Sequence, residues 1–134
     1  MLIEPLPASW PTTRHTLQAY AQALTAFPRA GAQHDPRWGH VAMELVFESL
    51  RSAPTPLGDG TALASEIDFH THRIAITAGD DTTIFDMTEG PSPLAIGTAI
   101  SHLVTTHGSS LDVDTDRFAG ADPMEYDPAA AIAF

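Results

Sequence analysis

Apolar residues recur at spacings of three and four along the first part of the chain. Leu17, Tyr20, Leu24 and Phe27 fall on one side of a helical projection. Ser9 and Pro11 stand where a cap residue and an early helical proline belong, and Pro28 stands where the pattern stops. The spacing therefore predicts a helix over 12–27 and a loop over 29–39. From His40 the period changes to two. Val41, Met43, Leu45 and Phe47 alternate with His40, Ala42, Glu44 and Val46, as in a strand with one buried face. The cluster from Pro54 to Gly60 reads as a turn. Leu63, Ser65, Ile67 and Phe69 line one side of a second strand, and Ile74, Ile76 and Ala78 continue the alternation after a turn at 70–72. Gly79, Asp80 and Asp81 then turn the chain into a strand over 82–87. Closely connected strands of this kind pair as an antiparallel meander.

Ser92 and Pro93 open a second helix as cap and first-turn proline. Ile96, Ile100, Leu103 and His107 share its face, and Gly108 marks its end. Gly97 inside this helix costs about 1 kcal/mol relative to alanine, which points to close packing there. Leu111 and Val113 suit a short edge strand, the acidic stretch to Asp122 a loop, and Asp127-Pro128 the cap of a last helix over 129–134. The whole reads as a single α+β domain over 1–134. A mostly antiparallel sheet of four to five strands packs against two main helices, with a short C-terminal helix.

Composition narrows the classes. With 134 residues and 43% hydrophobic content the chain can bury one core, which excludes wholesale disorder. It has no cysteine, which removes disulfides, thiol nucleophiles and cysteine zinc sites. It has no run of about 18 apolar residues, and its start lacks the basic and apolar regions of a secretory signal. A cytoplasmic protein is the expectation. Seventeen acidic residues face six arginines and no lysine, for a formal charge of −11. Such a field repels phosphate backbones and anionic lipid surfaces, so neither nucleic acid nor a membrane is an expected partner.

Candidate chemistry is sparse. Trp10, Tyr20, Trp38, His40 and Glu44 could converge on one cleft if the first helix packs beside the first strand. Trp10, Tyr20, Trp38 and His40 are then the ligand-binding candidates, because such aromatics supply apolar walls and one directed donor each. Within that cleft His40 and Glu44 are the candidate acid–base pair. The simpler account makes both tryptophans core anchors. His70 and His72 flank Thr71 as an H-x-H pair, a two-ligand arrangement for zinc that still needs a third protein ligand. A hairpin turn explains them as well, and no metal or other cofactor is expected. Asp112, Asp114 and Asp116 alternate like the start of a calcium loop, but Arg117 and Pro123 occupy the positions that need glycine and glutamate. There is no G-x-S-x-G elbow and no glycine-rich phosphate cradle before a helix.

Several short strings, in order, carry a resemblance. They are Trp10, Leu17 with Gln22, Trp38 with His40-Val41, Pro54-x-Pro56-x-Gly58, Asp68-Phe69-x-x-His72-Arg73-Ile74, and Tyr126-Asp127-Pro128 followed by Ala130 and Phe134. Together they resemble the N-terminal half of a bacterial family catalogued as domain of unknown function 5996. Members of that family have a histidine and a tryptophan in the first helix where this chain has Gln18 and Tyr20. They also tend to have a basic residue near Ala26, and a second half about as long as this chain. The resemblance thus implies a fold more than an activity. It also implies that something takes the place of the second half: a homodimer, or a separate chain, with Ile132 and Phe134 in the contact.

Two functional readings follow. One is a non-catalytic module that binds a small molecule or another protein. The alternative is a small enzyme using His40 and Glu44, metal-assisted through His70 and His72.

Overall fold

Residues 8–31, 43–46, 48–108 and 123–131 are described by a computed structural model of the chain. Helix α1, Trp10–Gly31, starts directly after Ser9, whose carbonyl accepts the Thr13 amide at 3.0 Å. It buries Leu17, Tyr20 and Leu24 as the spacing predicts, together with Thr13, Thr16 and Ala23. Pro28 does not end it, and the first residues of the expected loop are helical to Gly31. Proline removes one amide donor and crowds the carbonyl four residues back. Here that damage falls in the last turn of a 22-residue helix, which tolerates it.

Among the described residues six strands form one antiparallel sheet: β1 (Met43–Val46), β2 (Ser49–Ser52), β3 (Thr55–Pro56), β4 (Ala62–Asp68), β5 (Arg73–Ala78) and β6 (Asp81–Asp86). Their order is β1-β2-β4-β5-β6, with β3 pairing β4 on the same edge as β2. The meander β4-β5-β6 follows the alternation read from the sequence, with Leu63, Ser65, Ile67, Phe69, Ile74, Ile76 and Ala78 all buried. The β1-β2 hairpin is new. Its second strand, Ser-Leu-Arg-Ser, has one apolar residue and no alternation to reveal it.

The predicted turn at 54–60 is partly strand, because the chain rejoins the sheet after a bulge. Arg51 pairs with Glu66 and Thr55 with Leu63, so residues 52–54 oppose residues 64–65, three against two. Pro54 has no amide to give the ladder. At the same place the Ser52 hydroxyl gives β4 an acceptor, taking the Ser65 amide at 3.0 Å and the Ser65 hydroxyl at 2.9 Å. The extra residue also reverses parity: Arg51 stays exposed while Thr55, four positions on, is fully buried.

β6 stops at Asp86, whose carboxylate accepts the Thr88 amide and caps a 3-10 turn at Met87–Glu89, so Met87 leaves the expected strand. Helix α2, Pro93–Thr106, has its amide at Ala95 capped by the Ser92 hydroxyl at 3.1 Å, as the sequence predicts. The short helix α3, Pro128–Ala131, is capped by Asp127 through the Ala129 amide at 3.0 Å. The fold is α+β, with two main helices and a short C-terminal one against the sheet.

Tyr20 and Leu24 of α1, Ile96 and Ile100 of α2, and Ile67, Ile74 and Ile76 of the sheet interlock with Met87 in one core, all fully buried. Burying each such side chain contributes about 1.5–3 kcal/mol. Because strand residues alternate, Ala64, Glu66, Ala75 and Thr77 point away from these helices. No helix among the described residues is long and apolar enough to cross a membrane. The expected strand at Leu111 and Val113, and the positions of Trp38, His40, Ile132 and Phe134, lie outside the described residues.

Candidate functional site

The helices leave one face of the sheet uncovered by described residues, and a pocket of about 280 Å³ opens on it. Its floor is Ala64, Ala75 and Thr77, side chains too small to fill the space between the strands. Its wall is Arg51 and Glu66, paired across β2 and β4 with Nε to Oε2 at 3.0 Å. Glu66 is held on its other oxygen by the Ser49 hydroxyl at 3.0 Å. The bulge borders the pocket through Ser52. Ile84 extends the same face from β6, next to Ala75, and is 57% exposed. The site thus combines an apolar floor with one charge-balanced, pre-formed polar wall.

A second polar cluster lies at the turn between β4 and β5. His72 has φ of 57°, a left-handed conformation uncommon for a residue with a side chain. Its Nδ1 lies 2.7 Å from the Tyr126 hydroxyl, the rings meet edge to face at 5.7 Å, and its carbonyl accepts the Met87 amide at 2.9 Å. Burial, then the charges of Asp127 and Asp86, push the Tyr126 hydroxyl well above its ordinary pKa, so it stays a neutral hydrogen-bonding group. The neighbouring segment is fastened to α1. Thr16 donates to the Glu125 carbonyl at 2.5 Å, Thr13 accepts the Asp127 amide at 3.1 Å, and Ser9 donates to the Asp127 carboxylate. A smaller pocket of about 220 Å³ between Thr12, Thr13 and Tyr126 is the seam of this docking.

A third cluster joins three turns. The two ring nitrogens of His107, the C-cap of α2, face two carboxylates: Nδ1 faces Asp59, and Nε2 faces Asp81 at 2.8 Å. Asp59 also accepts the Thr61 amide at 3.0 Å and the Thr61 hydroxyl at 2.6 Å. Those two Thr61 bonds, then His107, hold its carboxyl down at about 2. The approach is close: a Cβ at Gly58 would run into the Gly108 carbonyl.

The residues singled out from the sequence are spread over these regions. Tyr20 is fully buried with its hydroxyl donating to the Pro91 carbonyl at 2.8 Å, so it is a core residue. Glu44 is exposed and stands opposite Arg51 in the strand register on the helix-free face, whereas its neighbour Met43 packs on the core that contains Tyr20. Tyr20 and Glu44 therefore sit on opposite sides of the sheet. Trp10 is half-buried at the start of α1. His70 is exposed and pairs with Glu48 at 3.2 Å, while His72 turns to Tyr126, so the two imidazoles serve different partners. Trp38, His40, Ile132 and Phe134 lie outside the described residues.

Sequence reading missed Arg51, Ser52 and Glu66, and it took Asp59 and Asp81 for turn residues only. The one available signal was the density of Gly, Asp and Thr at 58–61 and 79–83, which marks turns without showing that they meet. Comparison of the chain with protein-family models, with curated proteins and with solved structures finds no match.

Proposed function

We propose that this chain is a binding module, not a catalyst, and that it takes a small ligand on the helix-free face of its sheet. The observation that supports this is the pocket of about 280 Å³ beside the bulge. Its volume lies near the lower end of small-molecule sites, about 300–1,000 Å³. Bulges concentrate beside functional sites because they re-aim side chains, and this one follows directly on Arg51 and borders the pocket through Ser52. The lining has no histidine, and its one acid, Glu66, is already paired. That favours recognition over proton transfer. A ligand with an apolar body and one carboxylate suits the floor and the guanidinium.

The test is an NMR titration with a set of small aromatic carboxylic acids, repeated on Ala75→Trp, which fills the pocket from the solvent side without entering the core. Amide shifts should cluster at Ala64, Glu66, Ala75 and Thr77 and vanish in the variant. No response at these positions, or an unchanged response in Ala75→Trp, refutes the reading.

A further inference from the structure

We infer that His107 is a pH-gated latch: its imidazolium ties the end of α2 to two turns of the sheet, and loss of its proton frees the turn at Asp81 while the turn at Asp59 stays tied. The geometry carries this. An imidazole can donate from both nitrogens only when protonated; the neutral ring has one N–H and one bare lone pair. Here both nitrogens face carboxylates, Asp59 on one side and Asp81 on the other. A neutral ring must therefore point a lone pair at one of them, and that contact becomes repulsive.

Which arm lets go follows from what else holds each. Asp59 is anchored by the Thr61 amide and hydroxyl, and its own amide donates to the His107 carbonyl at 3.0 Å. The turn at 58–61 thus remains joined to α2 whatever the ring does. The Asp81 carboxylate has the His107 ring as its side-chain partner and no other among the described residues. The surviving proton therefore stays on Nδ1, and Nε2 gives up Asp81. The groups around the ring all favour the cation. They are Asp59 from the β3-β4 turn, Asp81 from β6, the Thr61 hydroxyl at 3.4 Å, and the negative end of α2, which His107 caps. Asp80, the exposed neighbour of Asp81, adds to the same field.

The hydrogen bonds to Asp59 and Asp81 raise the ring pKa above its ordinary 6.5 in the folded chain. The latch is thus fully closed below that value, and its contribution is lost as pH rises through the raised folded value. On the acid side Asp59 stays charged down to about 2. The closed state therefore extends past the ordinary histidine value toward higher pH.

Proton–nitrogen NMR of the whole chain across pH tests this. His107 should titrate above the ordinary histidine value and end as the Nδ1-H tautomer. Amides of Gly79, Asp80 and Asp81 should shift with the same midpoint, and the Asp59 amide should stay in place. In Asp81→Asn, an exposed change that keeps the fold, the His107 midpoint should drop by at least half a pH unit, and the response at 79–81 should disappear. A midpoint at or below the ordinary value, an Nε2-H end state, silent amides at 79–81, or an equal shift at Asp59 would overturn the latch.

Discussion

At Tyr20 a polar hydroxyl is carried into the core, and its bond to the Pro91 carbonyl makes that burial tolerable. Burial is also the cause that pushes this hydroxyl far above its ordinary pKa, so it is neutral and donating at neutral pH. Tyr20→Phe keeps the ring and strands the carbonyl, so urea denaturation should show a loss of about 1–2 kcal/mol. If Tyr20 lined an open ligand cleft, as the aromatic clustering in the sequence implies, the loss would stay within about 0.5 kcal/mol. His72 is the other residue whose surroundings outweigh its local preference. Its left-handed backbone is held by the Met87 amide on one side and the Tyr126 ring on the other.

Among the elements, the interrupted strand β2-β3 is the one on which the proposed site depends. A regular strand would leave Arg51 and Thr55 on the same face; the bulge puts one outside and one inside. At the bulge the Ser52 hydroxyl accepts the Ser65 amide. Removing the hydroxyl in Ser52→Ala should cost about 1–2 kcal/mol by denaturation. It should also speed hydrogen exchange at the Ser65 amide relative to Ile67 on the same strand. Unchanged protection at Ser65 would mean that the bulge is held by something other than Ser52. The caps tell a different story. Ser92 and Asp127 each satisfy an amide within three residues, so their helices start where local chemistry places them.

The whole molecule carries a formal charge of −11 with no lysine, so its folded state works against its own field. The ion pair between Arg51 and Glu66 is partly exposed and contributes little against that total. Raising salt shortens the screening length from about 30 Å at 0.01 M to about 3 Å at 1 M. The urea midpoint at neutral pH should therefore rise with sodium chloride. A midpoint that falls would show that specific ion pairs, the His107 latch among them, outweigh the general repulsion.

What the chain's own pattern determined is the set of elements whose information is local. The alternation of Leu63 to Phe69 and Ile74 to Ala78 needs only a period of two to declare a buried face. Ser92-Pro93 needs only three residues to start α2. The antiparallel meander follows from short turns that leave the strands no other way to pair. Other features were decided by tertiary structure because their causes are distant in sequence. The strand β2, with one apolar residue, becomes a strand only through its two neighbours. The pocket exists because a bulge in one strand meets alanines from two others, and no periodicity encodes that register. His107 finds Asp59 and Asp81 across 48 and 26 positions. A sequence pattern shows which side of an element is buried, but partners across the fold are set by how elements stack. The sites of this protein lie where that stacking brings turns and strands together.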